Sequence, residues 1–243
     1  MANLSGNPQI TTIDLYSSDT TRQHELGAMV YGKNGKAFRY VLAGGSALVV
    51  GNVLQSPAVD TQFDDMAVPA ALAVGTTVVT ITNGTTAVSA GDFTDGTLEV
   101  SVTPGLGEEY TIVTHGTATS GSAWVLTLDR PLRTAWTTST KVTVRKSPYS
   151  AVIQCPTTLT GTVVGVAVYP IPASNYGWIQ VQGVAAVLSD NSTGAVGSDV
   201  GVPGATAGCV GVNVAGTGKS NTVGRAMRAL ASGKTVPVSL CIG

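Results

Sequence analysis

The chain has 243 residues, enough for one large domain or two small ones with real cores. Only 11 % of the residues are charged, against roughly 25 % in an average soluble protein. The 13 basic residues nearly cancel the 14 acidic ones, for a net charge of −1, which argues against the basic surface that nucleic acids and anionic membranes attract.

The first twenty residues are polar, with a few isolated apolar positions. We expect residues 1–20 to form an extended arm, and a frayed terminus is the alternative. The start lacks the basic and then apolar pattern of a signal peptide, and no apolar run reaches the ~18 residues of a membrane-spanning helix. We therefore expect synthesis in the cytoplasm. The apolar anchors of the arm are Ile10, Ile13, Leu15 and Tyr16.

Residues 21–68 begin a β-rich region. Two strand-like runs flank Lys33-Asn34-Gly35, and Asn-Gly predicts a hairpin turn because both residues tolerate positive φ. Asp60, Asp64 and Asp65 then precede Pro69. Three carboxylates suit Ca²⁺, but their spacing does not match an EF-hand loop, so we expect a solvated linker.

Residues 69–148 are predicted to be a separate block of strands. Five segments alternate apolar and polar residues at period two, each bounded by turn residues. In the last of them Val142 and Val144 face one way, and Thr143 and Arg145 the other. Such segments with short turns predict a small antiparallel sandwich or barrel.

Residues 149–243 return to longer β segments. A short stretch, Arg225–Ala231, allows either a helix or a turn before the last strand. The simplest organisation is a discontinuous β core domain, 21–68 plus 149–243, with 69–148 inserted where chain ends lie close together. The predicted fold class is all-β. Three widely spaced cysteines, Cys155, Cys209 and Cys241, are expected to be small buried hydrophobes.

Residues that could carry chemistry are few. Gly218-Lys219-Ser220 resembles the end of a phosphate-binding loop, but the glycine required five positions earlier is Asn213. His24 and His115 have no neighbouring ligand at metal spacing, and His115 is expected to cap a strand at a turn. We expect no catalytic residue, no cofactor and no metal site.

Two further patterns leave alternatives open. Glu108-Glu109 could supply acid and base, but glycosidase carboxylates come from separate strands around an aromatic cleft. The aromatic cluster of Tyr169, Tyr176 and Trp178 is either core packing or an interface anchor, because Tyr and Trp dominate binding hot spots.

The segments "NYGWIQVQGVAAVLSDNS" and "TVGRAMRALASGKTVPVSLCIG" resemble head decoration (cement) proteins of tailed bacteriophages. "GKAFRYVLAGGSALVVGNVLQ" is similar to the first half of those proteins, and the 69–148 block is similar to the insertion that many of them carry. The likeness runs from about Leu26 to Gly243, in many short β motifs without a single diagnostic residue.

The resemblance implies an antiparallel β-barrel or β-tulip-like core with an inserted β domain. It further implies a virion protein on the outer capsid surface, trimeric at local three-fold positions, that ties neighbouring major capsid subunits together. No catalytic residue carries over. The expected capsid or inter-subunit contacts are Ile10, Ile13, Leu15, Tyr16, Tyr176 and Trp178. The alternative is a phage surface protein whose inserted block binds host glycans through Trp124 and Trp136.

Overall fold

A computed structural model describes residues 14–190, 193–202, 205–213 and 221–242. The chain is nearly all-β, with 44 % strand and 3 % helix, and its antiparallel sheets form one half-barrel and one nearly closed barrel. The predicted all-β class is confirmed. The only helical pieces among the described residues are the 3-10 turns Lys33–Gly35 and Thr61–Phe63. Of the two alternatives at Arg225–Ala231, the helix is wrong: a strand continues to Ala226, and bends and a turn lead from there to the last strand.

The chain divides into two compact units, residues 1–58 with 148–243 and residues 59–147, which we call the core unit and the inserted unit. The strands of the core unit are β1 (Ser18–Asp19), β2 (Met29–Tyr31), β3 (Ala37–Leu42), β4 (Val53–Gln55), β11 (Ile153–Gln154), β12 (Val163–Ala167), β13 (Tyr176–Ser189), β14 (Asp199–Val202), β15 (Gly211–Val212), β16 (Asn221–Ala226) and β17 (Lys234–Cys241). Those of the inserted unit are β5 (Met66–Ala67), β6 (Val78–Thr82), β7 (Thr97–Val102), β8 (Glu109–His115), β9 (Ala123–Leu128) and β10 (Lys141–Arg145).

The six strands of the inserted unit form one sheet in the order β5-β10-β7-β8-β9-β6. The end strands β5 and β6 also lie close together, so the sheet nearly closes on itself. All five segments predicted from alternation are strands, and in β10 Val142 and Val144 are buried while the alternate positions are not. The two tryptophans of this unit, Trp124 and Trp136, lie in the barrel core at 0 % exposure.

In the part of the core unit that the structure describes, eleven strands form one sheet, and its longest strand is β13, with fourteen residues. Its first half pairs with β1, β3 and β12, and its second half pairs with β17. The register shifts between Gln180 and Gln182, and Gly183 adopts φ +81, a value that glycine reaches without a Cβ penalty. The Gln180 amide donates to the carbonyls of Gln182 and Val184 (2.9 and 3.1 Å) and so braces this bulge.

A recurring backbone device, which we call a paired-turn corner, connects strands three times within the described residues. Two residues exchange both backbone hydrogen bonds, and each is followed by a short turn that leads toward the next strand. One corner is in the core unit, and the other two lie at opposite ends of β6. The pairs are Leu48 with Ile171, Leu72 with Trp136 and Val88 with Ala118. Each corner thereby holds together two residues that lie 30 to 123 positions apart along the chain.

The predicted Asn-Gly turn is confirmed. Asn34 and Gly35 have φ of 59 and 69, and the Lys36 N–H donates to the Lys33 carbonyl at 3.4 Å. The hairpin that joins β2 and β3 therefore uses the two left-handed positions of a type I′ turn.

The cysteines differ in exposure. Cys155 and Cys209 are buried as predicted, but Cys241 is exposed, so the prediction is wrong there. Burial raises the pKa of Cys155 to about 12, and because the thiolate is the reactive form, a buried thiol with a raised pKa is inert. We expect one thiol per folded chain to react rapidly with a maleimide and all three to react after denaturation. Mass spectrometry of the labelled peptides checks this, and rapid labelling of Cys155 would contradict the described core.

Candidate functional site

An aromatic face in the core unit is formed where β3 meets the start of β13. Phe38, Tyr40 and Trp178 are buried there at 1 %, 1 % and 4 % exposure. They form one cluster with Val30, and Tyr176 packs against it, half-buried. The Tyr40 and Tyr176 rings are stacked, with centroids 5.8 Å apart. Among the described residues, three of the sequence-predicted contact residues come together at this face: Leu15, Tyr176 and Trp178.

The N-terminal segment, defined here as residues 14–28, covers the aromatic face. Strand β1 adds to β13, with Ser18 opposite Gly177 and Asp19 opposite Tyr176. The Gln23 N–H donates to the Tyr40 hydroxyl at 3.0 Å. The His24 ring lies 5.1 Å from Tyr40 and 5.3 Å from Trp178, and Leu15 and Leu26 pack on the cluster.

The predicted contact residues therefore have different surroundings. Tyr16 is 50 % exposed and remains available to a partner, whereas Leu15 and Tyr176 contact the chain's own aromatic face. Trp178 is buried in the core as long as the N-terminal segment covers it. Ile10 and Ile13 lie outside the described residues. Tyr169, considered with the cluster, is only partly buried and is not one of the cluster residues.

The Tyr40 hydroxyl gives a direct probe of how firmly the segment is held. Burial raises the pKa of Tyr40, so the hydroxyl is neutral and accepts the Gln23 N–H. Tyr40→Phe removes that acceptor at a cost of about 1 kcal/mol, and we expect the Gln23 amide to exchange with solvent about five times faster. Tyr31→Phe, on the 48 % exposed Tyr31, is the control. Unchanged exchange in Tyr40→Phe would mean that the bond does not hold the segment.

A second surface, which sequence reasoning missed, lies on the outside of the inserted unit. The outward positions of β6 and β9 are opposed in register and carry no charge. Three cross-strand pairs make up this neutral face: Val78 with Thr127, Thr80 with Val125, and Thr82 with Ala123. Val78 and Val125 are each 49 % exposed. The sequence did contain a signal for this face. Strands β6 and β9 carry apolar or β-branched residues on both faces, whereas a barrel strand needs apolar residues only on the face that points into the core.

The outward positions of β7 and β10 are different in character. They carry Glu99, Lys141 and Arg145, with Glu99 opposite Thr143 and Arg145 opposite Thr97. One side of the barrel is thus charged and the other is neutral. Since charged residues are depleted at the cores of protein interfaces, the neutral face is the better contact surface of the two.

The aspartates predicted to lie in a solvated linker instead belong to the inserted unit. Asp60 accepts the Gln62 N–H at 3.1 Å and caps the second 3-10 turn. Asp64 pairs with Arg145, and Asp65 accepts the Ser101 hydroxyl at 2.6 Å. Each of the three carboxylates therefore has a hydrogen-bond or ion-pair partner within the inserted unit.

The buried carboxylate of Glu108 is the centre of a hydrogen-bond network at the end of the barrel. It accepts from the Tyr110 hydroxyl at 2.5 Å and from the Thr134 hydroxyl at 2.6 Å. Burial alone would raise the pKa of Glu108, but the bonds from Thr134 and Tyr110 and the charge of Arg133 outweigh it and lower the pKa. This arrangement stabilises the ionised form, the opposite of what a general acid needs. Glu109 is exposed.

The histidines also serve packing. His115 ends β8 and is buried, and its Nε2 accepts the Phe93 N–H at 2.8 Å. Its Nδ1 lies 2.9 Å from the Gly116 carbonyl and 3.2 Å from the Trp124 Nε1. The aromatic rings of Phe93 and Trp124 surround it. Both nitrogens are thereby engaged with backbone groups.

Other sites considered from the sequence are placed as follows. Gly218-Lys219-Ser220 lies outside the described residues. Within the described residues, no group of three or more His, Cys, Asp or Glu side chains is placed to hold a metal ion. No helix in that part of the chain is long and apolar enough to cross a membrane. Trp124 and Trp136, which a glycan platform would need at the surface, are buried.

Comparison with known proteins finds no matching family model, no matching curated protein and no matching solved structure. The resemblance to phage head decoration proteins therefore stays a hypothesis.

Proposed function

We propose that this chain is a virion structural protein that decorates the outer surface of a tailed-phage capsid. Its partner would be the major capsid protein, and the chain would act as a homo-oligomer, with a trimer favoured at local three-fold positions. The observation that carries the proposal is the neutral face of the inserted unit, a register-matched surface of Val, Thr and Ala without charge. The sequence likeness supports the same function.

The surface chemistry supports contact rather than catalysis. Glu108, His115, Asp60 and Asp65 take part in internal hydrogen bonds. Asp64 pairs with Arg145. Short hydroxyl and β-branched side chains lose little rotamer entropy when covered, and they bring no charge that must be desolvated. A surface of this kind fits a rigid neighbour at low cost.

The mechanism is binding linkage. A protein that binds the mature shell more tightly than the immature or broken shell stabilises the mature shell by that difference in affinity. Many copies on one lattice add their effects, because each bound copy holds several subunits at high effective concentration. Each single contact can therefore be weak and the shell is still stabilised.

The test uses shells that lack this protein, with purified chain added back. We expect the temperature at which packaged DNA becomes accessible to a dye to rise with occupancy. Val125→Lys places a charge on the neutral face and should weaken binding at least tenfold. Val102→Lys, at a 38 % exposed valine on β7, is the matched control and should bind like wild type. Binding without any gain in shell stability would overturn cementing, and equal binding by both variants would overturn the neutral face as the contact.

A further inference from the structure

The N-terminal segment is a thin cover over a deeply buried face. None of residues 14–28 is itself buried; each is half-buried or exposed. The residues below it, Phe38, Tyr40 and Trp178, are almost fully buried. An element with few buried apolar contacts opens at a free energy well below that of global unfolding.

The strand pairing that holds the segment on the aromatic face is short. Strand β1 contributes two paired residues to β13. Side-chain contacts include the Gln23 N–H bond to Tyr40, the Arg39 bond to the Gly27 carbonyl at 2.9 Å, and the packing of Leu15, His24, Leu26 and Ala28. Where the segment joins β2, the Gly27 N–H donates to the Tyr40 carbonyl at 2.8 Å, and the Tyr40 N–H donates to the Ala28 carbonyl at 3.0 Å. Gly27, with φ +85, lies where the segment joins β2. Opening at this point would uncover a large aromatic surface that water solvates poorly.

We propose that this face accepts the N-terminal segment of a second copy of the chain, so that neighbouring copies exchange residues 14–28. Within one chain the same segment already fits this face through strand pairing, a hydrogen bond and ring contacts, so the segment of a second copy has a matching surface. Exchange of an identical element is a low-cost route to an oligomer, because the interactions that each copy gives up internally form again between copies. The inference rests on the proposed function only in that a shell lattice holds copies close together.

Concentration decides which copy is captured. A free neighbour in dilute solution competes poorly with the chain's own segment, whereas copies on one lattice present their segments at an effective concentration in the millimolar range. Exchange is therefore expected in the concentrated oligomer and on the shell, and not in dilute monomer.

The test is isotope-mixed disulfide trapping in the full chain. Asp19→Cys with Tyr176→Cys, in a Cys241→Ser background, places thiols at facing positions of β1 and β13. Equal amounts of ¹⁴N- and ¹⁵N-labelled protein are mixed, concentrated or bound to shells, oxidised and digested. Exchange predicts linked peptide pairs of mixed label in the oligomer and pairs of like label in dilute protein.

Several outcomes overturn the exchange. Pairs of like label in every fraction, the shell-bound fraction included, would show that each segment stays on its own copy. If those shells are still stabilised, the exchange is overturned while capsid decoration stands. Mixed-label pairs in the oligomer, together with no binding to shells, would support the exchange and overturn the proposed function. Ser18→Cys with Gly177→Cys is the second pair if the first does not fold; a Cβ at Gly177 meets the flexible end of Ile171 at 2.7 Å, and melting curves check both variants.

Discussion

Gly224→Ala is expected to disrupt the pairing of β16 with β17 and to lower the stability of the core unit by about 3 kcal/mol or more. Gly224 lies between Val200 of β14 and Leu240 of β17. A Cβ built on it would lie 2.0 Å from the Ser239 carbonyl oxygen and 3.0 Å from the Leu240 Cα. Because the obstructing atoms are backbone, no side chain can rotate away, and the strands must separate.

The measurement is amide hydrogen exchange, read separately for peptides of the two units. Protection in β16 and β17 should fall about a hundredfold or more, while β8 and β9 of the inserted unit serve as the internal reference. Gly45→Ala is the matched control, since a Cβ at Gly45 meets nothing within 4 Å; it should be neutral or slightly stabilising. Equal exchange in the two variants would mean that the strand spacing at Gly224 is not as described.

A second large effect is expected at Glu108 in the inserted unit. Glu108→Gln leaves the Tyr110 and Thr134 hydroxyls with one carbonyl acceptor instead of a carboxylate, and we expect a loss of about 2 kcal/mol at neutral pH. Glu109→Gln changes the exposed neighbour and should change stability little. Urea unfolding of both variants provides the comparison.

The same substitution has a defined pH dependence. The ordinary pKa is 4.5, and the folded protein holds the pKa of Glu108 below it. As the pH falls, the unfolded state takes up the proton first, so the stabilisation is complete above the ordinary pKa and is lost as the pH falls through the lowered one. The stability gap between wild type and Glu108→Gln should therefore narrow in acid. A gap that stays constant with pH would contradict an ionised, hydrogen-bonded Glu108.

Local patterns carried much of the fold. The alternation in β6 to β10 identified five strands because each buries one face against the barrel core, and period-two patterning reports that directly. The Asn34-Gly35 turn was predictable because its φ requirement is met by the two residues alone. These features depend on neighbours in sequence, which sequence reasoning can read.

Features that depend on distant partners were not predictable. Asp64 is a structural residue because Arg145 lies beside it, 81 positions later. The paired-turn corners join residues such as Leu48 and Ile171, and nothing in either local sequence names the other. The exposure of Cys241 likewise follows from its position in β17 rather than from its own chemistry.

The candidate site shows the same division. Tyr176 and Trp178 were recognised as a cluster, but Phe38 and Tyr40 were not. Residues 1–20 were expected to form an extended arm, whereas residues 14–20 belong to the segment that covers this face. Pairing of Ser18 with Gly177 is a tertiary contact, and a polar segment with scattered apolar residues does not reveal which sheet it joins. The neutral face was missed because alternation shows which positions point outward but not that β6 and β9 lie side by side, where paired residues such as Val78 and Thr127 are 41 or more positions apart along the chain.

Imaging of intact particles that contain this chain tests the central claim most directly. We expect density for the two β units on the outer surface of the shell, at contacts between major capsid subunits, with the strand of Val125 facing a neighbour. Density for the chain inside the shell or in the tail would contradict it.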